Sequence, residues 1–322
     1  MNLPVTRFAV PLALSASLFL AGCGALSGEG DVDEQKVSAA FYPLAYAAER
    51  VAGDHFEVEN LVQAGREPHD VELSVRQTGD VAQAGLVIFE TGFQPAVDEA
   101  VEQNAEGETL DAAEVIDLHQ NGEDDADQHE GDEHAEDEHA DEHEGHDHEQ
   151  GENDPHFWLD PLLMADLADA IADKLSGIDP DHKDEFTANA ADFRAELEAL
   201  DKAYASGLSS CERDTVVVNH EAFGYLSRYG LHFEAITGLS PGAEPTPGDR
   251  ARLERLVRAD GLTTVFSEAL GSKKAAEALA ADVGVEAAVL DPIEGLSDLT
   301  KNENYLSLMK NNLTALKKAN GC

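Results

Sequence analysis

The 322 residues carry 21 Lys+Arg against 66 Asp+Glu, a formal charge of −45, with 42% hydrophobic residues, 6% aromatic residues and 3 Cys. That length suits two core-forming lobes better than one, and so acidic a chain is repelled by nucleic-acid phosphates and by anionic membrane surfaces, which leaves cations as its natural partners. Hydrophobic content near the globular average, in runs separated by Gly, Pro and Asp, excludes a wholly disordered chain.

At the start of the chain, Arg7 precedes an apolar stretch from Phe8 to Leu20. It is too short to span a bilayer and reads as a secretion signal over residues 1–22. The stretch ends in Leu20-Ala21-Gly22-Cys23, which resembles the lipobox of bacterial lipoproteins. That resemblance implies lipid on the Cys23 sulfur, cleavage before it, and a location outside the cytoplasm on the outer face of the cytoplasmic membrane, in a periplasm or at the cell surface. Residues 23–36 fit a solvated tether.

From Val37 onward, short apolar or β-branched runs alternate with helical stretches. Val37–Phe41, Phe56–Leu61, Leu86–Phe89 and Val115–Leu118 are candidate strands, and their alternation with helices implies βαβ units in a mostly parallel sheet. An N-terminal α/β lobe is therefore expected over residues 37–179. Phe186, Ala190, Phe193, Leu197, Leu200, Tyr204 and Leu208 then recur every three or four residues, the stripe of one amphipathic helix over residues 180–208. At about 28 residues it is roughly 42 Å long, a stiff strut between lobes. Candidate strands Thr215–Val218, His232–Ile236, Thr264–Phe266 and Ala287–Leu290 follow, with helices near Pro247–Ala259, Lys273–Val283 and Tyr305–Lys318. They make residues 209–322 a second α/β lobe.

One segment departs from this pattern. Residues 119–149 hold 7 His and 15 Asp+Glu with no Lys or Arg, a composition that cannot bury a core and reads as a disordered loop, extending to about residue 153. His129, His134, His139, His143, His146 and His148 there suit loose zinc binding; a plain acidic linker has the same composition. Cys211 and Cys322 remain in a compartment that permits oxidation. They form either a disulfide, the expected reading, or two free buried thiols.

Four short segments offer metal ligands at or after strand ends. His69 lies in Gly65-Arg66-Glu67-Pro68-His69-Asp70, and His156 between the two Asp-Pro steps of Asp154-Pro155-His156-Phe157-Trp158-Leu159-Asp160-Pro161. His220 lies in Val218-Asn219-His220-Glu221-Ala222-Phe223, and Asp291 in Leu290-Asp291-Pro292. Open α/β sheets bind ligands outside the carboxyl ends of their strands, so two facing lobes would bring these groups together. Three imidazoles and a carboxylate suit Zn²⁺, although Asp before Pro also simply initiates turns. Glu268, at a strand end, could orient one of the imidazoles, and Trp158 is expected to pack under the His156 loop.

The strings EPHD, DPHFWLDP, NHEAFGYL and LDP, in that order in a lipoprotein with a His-rich insert, resemble the ZnuA-type zinc solute-binding proteins of ABC transporters, from about Val37 to Cys322. The resemblance implies two α/β lobes joined by a long helix, with a metal in the cleft. It implies His69, His156 and His220 as ligands, Asp291 completing the shell, and Glu67 or water as an auxiliary. It also implies capture of Zn²⁺ for an ABC permease, with no catalytic step and no nucleic-acid partner, by a monomer. Manganese-binding relatives often carry a carboxylate where this chain has His220 and usually lack the insert, so zinc is favoured over Mn²⁺ or another divalent ion. Two other classes share features with this one: a surface zinc scavenger or adhesin without a transporter, and a zinc hydrolase, against which the absence of a compact His-Glu-x-x-His motif speaks.

Overall fold

A computed structural model describes residues 32–119, 153–239 and 241–322. The signal segment, Cys23 and the six histidines from His129 to His148 lie outside the described residues. Among the described residues no helix is long and apolar enough to cross a membrane.

The N-terminal lobe is a four-stranded sheet of β1 (Asp33–Ala39), β2 (Glu57–Asn60), β3 (Ala84–Phe89) and β4 (Glu108–Asp111), ordered β2-β1-β3-β4. Every pair is parallel, with Val37 opposite both Val58 and Leu86, and Ile88 opposite Leu110. Helices α1 (Tyr42–Ala52), α2 (Val75–Gln83) and α3 (Pro95–Asn104) are the crossovers, and α2 starts at a capping box in which Ser74 and Gln77 satisfy each other's backbone. The C-terminal lobe repeats the design. Its strands β5 (Thr215–Val218), β6 (His232–Ala235), β7 (Thr264–Ser267) and β8 (Glu286–Val289) are ordered β6-β5-β7-β8, again all parallel. The expectation of two parallel α/β lobes holds.

Two local expectations are corrected. The strand expected at Val115–Leu118 is absent; β4 lies earlier, and Asp111 caps the short helix α4 (Ala112–Val115) by accepting from the Ala113 amide, leaving Val115 exposed. β4 carries one inward apolar residue, Leu110, so its sequence has little strand signal. β1 also begins four residues before Val37, inside the stretch read as tether, with only its last residues buried.

Helix α5 (Pro161–Ile178) leads through a 3₁₀ turn at Pro180–His182 into α6 (Lys183–Leu208), 26 residues long. The seven residues of its predicted stripe are its buried residues. Its first half is pinned to α1 by Asn189 Nδ2 donating to the Val51 carbonyl at 3.0 Å and by a two-pronged Arg50–Glu196 pair at 3.0 Å. Further along, the buried Tyr204 hydroxyl donates to Met309 O, 2.7 Å away in α9 (Tyr305–Asn320). One continuous apolar core, containing Phe41, Trp158, Leu197, Phe223 and Tyr305, runs through both lobes. Cys211 and Cys322 form a disulfide, beside amide hydrogen bonds from Glu212 and Arg213 to Asn320 O. The C-terminus is thereby tied to the start of the second lobe. The remaining helices, α7 (Pro247–Ala259) and α8 (Lys274–Val283), flank that lobe's sheet.

Candidate metal centre

Each ligand candidate reaches the cleft by a different local device. His69 follows β2, in a loop whose Glu67 carboxylate accepts the His69 amide at 3.1 Å and whose Pro68 carbonyl accepts from the buried Gln94 side chain at 3.1 Å. Phe93 stands edge-on to the His69 ring at 4.6 Å. His156 sits at the head of a 3₁₀ turn before α5 and does not follow a strand. Asp154 holds it there, accepting both the His156 amide at 3.0 Å and the ring Nδ1 at 2.7 Å. His220 follows β5, with Glu268 at the end of β7 accepting its amide at 3.1 Å and its Nδ1 at 2.5 Å.

With Nδ1 of His156 and His220 held by carboxylates, each Nε2 is turned inward, the arrangement that orients metal-binding imidazoles. The three Nε2 atoms converge on a single oxygen. Glu294 Oε1 lies 3.3 Å from His69, 3.4 Å from His156 and 3.3 Å from His220, and the Nε2 atoms of His156 and His220 are 3.4 Å apart. Metal bonds of about 2.0–2.1 Å at tetrahedral angles place neighbouring donors about 3.3 Å apart. His69, His156, His220 and Glu294 form one group able to hold a metal ion.

The carboxylate in this group is Glu294; Asp291, the expected fourth ligand, lies outside it. Asp291 builds the turn that delivers Glu294: its Oδ1 accepts the Ile293 amide at 2.9 Å, while its own amide and carbonyl are held by the Asn312 side chain at 2.9 and 2.6 Å. Ile293 takes φ 61°, an unfavourable conformation for a β-branched residue. The buried surroundings of Ile293 hold that strain, and Glu294, next in the chain, turns back into the cleft. Glu67, the expected auxiliary, spends an oxygen on the His69 amide and stands outside the group. Glu294 lies three residues beyond Asp291, in a segment with no periodicity to mark it. Trp158 packs under the His156 loop as expected, 5.2 Å from that ring, and its indole N–H donates to Pro292 O at 2.7 Å.

The electrostatics couple the imidazoles to the acids around them. Burial alone would lower the His156 and His220 imidazoles, yet hydrogen bonds to Asp154 and Glu294, and to Glu268 and Glu294, outweigh it. His156 is raised and His220 is pushed up to about 10. Burial would raise Glu294, but hydrogen bonds from the three histidines hold it well below the usual carboxylate range. Asp291 behaves differently: burial, with Glu294 and Glu268 nearby, pushes it up to about 6. His156 and His220 are fully buried, whereas the His69 side chain is 13% exposed, so solvent reaches the donor group past His69.

The model of a family described as the zinc-uptake complex component A, periplasmic (ZnuA), matches residues 37–319. A zinc-binding lipoprotein, AdcA, of Streptococcus pneumoniae is 36% identical over 97% of the chain, and the chain spans 60% of that relative's length. A high-affinity zinc uptake system protein, ZnuA, of Bacillus subtilis is 32% identical over 93% of both chains. The crystal structure of the Zn(II)-bound ZnuA-like domain of S. pneumoniae AdcA superimposes with a TM-score of 0.70 at 31% identity, covering 91% of this chain and all of that domain.

Proposed function

This chain belongs to the ZnuA family of zinc-uptake components, and on that premise we propose that it captures Zn²⁺ outside the cytoplasm and delivers it to an ABC permease. His69, His156, His220 and Glu294 are the proposed ligands. The supporting observation is the convergence of three imidazole Nε2 atoms on one Glu294 oxygen at 3.3–3.4 Å. Three nitrogens and one oxygen suit zinc better than Mn²⁺, which prefers more oxygen.

Four protein donors complete a tetrahedron and leave no position for the water that a catalytic zinc activates, which supports carriage of the ion without chemistry. α6 and the contacts that pin it to α1 and α9 favour release by small loop movements about His69 and Glu294 over wide hinge closure. Lipid at Cys23 would hold the monomer close to the permease, and the histidines from His129 to His148 would bind zinc loosely and raise its local concentration. Transport of radioactive zinc by cells whose own copy is replaced with His69→Ala/His220→Ala tests the reading. Uptake should fall to the level of a strain lacking the protein. Undiminished uptake would remove the cleft as the transport site.

A further inference from the structure

Outside the His-rich insert the chain has six histidines. Three are the proposed cleft ligands; two others, His55 and His182, stand together at the opposite end of β2, since His55 precedes that strand whereas His69 follows it. We propose that His55, His182 and Asp179 form a second, weaker zinc site at the corner where α5 turns into α6.

The side chains come from two separate segments. The imidazole rings of His55 and His182 stack at 3.9 Å between centroids, 30° apart in plane, and one donor atom from each of His55, Asp179 and His182 lies within 4.8 Å of the others. Their orientation is built: the buried Phe186 ring stands edge-on to His55 at 5.6 Å. Backbone hydrogen bonds from the Asp179 amide to Leu175 O and from the His182 amide to Asp179 O fix the turn. Asp179 Oδ2 lies 2.7 Å from His182 Nδ1, and Glu185 Oε2 lies 3.0 Å from His55 Nε2. The first turn of α6 presents partial positive charge, but Asp179, Asp181, Asp184 and Glu185 offset it within seven residues. Two imidazoles and a carboxylate are donors for zinc and its neighbours, not for Mg²⁺ or Ca²⁺, and 56%-exposed Glu185 can swing in as a fourth. The partly exposed donors stay hydrated until metal binds, so the site fills at higher zinc than the buried cleft.

Zinc-edge anomalous maps from crystals of the full chain soaked in excess Zn²⁺ test this. Two peaks are expected, one in the cleft as an internal control and one between His55, Asp179 and His182. The second should vanish in His55→Gln/His182→Gln while the first stays. In solution, zinc should slow diethylpyrocarbonate modification of His55 and His182 in the wild type. A filled cleft with no second peak and no protection, or a second peak that persists in the double variant, overturns the proposal.

Discussion

The two lobes share one strand order, and at the carboxyl end of the third strand in sequence each places a buried glutamate: Glu90 after β3 and Glu268 after β7. Glu268 holds the amide and Nδ1 of His220. Neither Glu90 oxygen has a hydrogen-bond partner among the described residues, and burial, with Asp154, Asp111 and Asp98 nearby, raises it well above the ordinary carboxylate range. The same topological position therefore yields a carboxylate that orients an imidazole in one lobe and an acid raised well above the ordinary carboxylate range in the other. Burial is the main cause at Glu90, with other carboxylates adding to it, whereas Glu268 has an imidazole beside it.

The lobes also differ in how they are closed. Only the C-terminal lobe carries a disulfide among the described residues, across a sequence separation of 111. Cys211→Ser/Cys322→Ser should cost about 3–5 kcal/mol of stability in chemical denaturation, with zinc affinity unchanged. A change in affinity with little loss of stability would mean that the bridge shapes the cleft.

The paired glutamates give the next effect. Glu268→Gln should weaken zinc binding by about 10–100-fold, the usual cost of losing an orienting carboxylate, whereas Glu90→Gln should leave affinity unchanged in a competition titration. Equal effects would erase the distinction between the two positions.

Acidity tests the same contrast in the zinc-free site. His220, pushed up to about 10, is protonated at neutral pH and must release that proton to bind metal. Zinc affinity should therefore rise about tenfold per pH unit for each proton released between pH 6 and pH 8, roughly. Glu268→Gln, which removes a main cause of the upward shift, should flatten that slope.

The smallest effect concerns stability alone. Because the folded Glu90 holds its proton to higher pH than the unfolded one, its contribution is fully present below the unfolded value, roughly 4.3, and is lost as pH rises toward the folded value. Glu90→Gln should thus be near neutral at low pH and increasingly stabilising above it, by at most about 1.4 kcal/mol per pH unit, measured by denaturation across that range.

Periodicity made α6 legible in the sequence: the stripe from Phe186 to Leu208 is the set of side chains it buries. Strands such as β5 were equally plain because Val216, Val217 and Val218 are all buried. β4 was not, since a strand with a single inward apolar residue leaves no pattern. At the site, the three histidines stand in marked strings, two of them beside Pro. Glu294 was hidden because its placement depends on a left-handed Ile293, which no propensity predicts, and on the hydrogen bonds by which Asn312, 21 residues away, holds Asp291. The His55/His182 pair was invisible for a related reason: it forms only when α1 and α6 pack.

In the proposed three-histidine zinc site it is Glu294, and not Asp291, that completes the shell. Competition titration with a chromophoric chelator on wild type, Glu294→Gln and Asp291→Asn tests it most directly. If a four-ligand site contributes about 10–16 kcal/mol, losing one ligand should weaken binding at least about 100-fold. Glu294→Gln should show that loss while Asp291→Asn binds within a few-fold of wild type. A large loss in Asp291→Asn with near-normal binding in Glu294→Gln would contradict it.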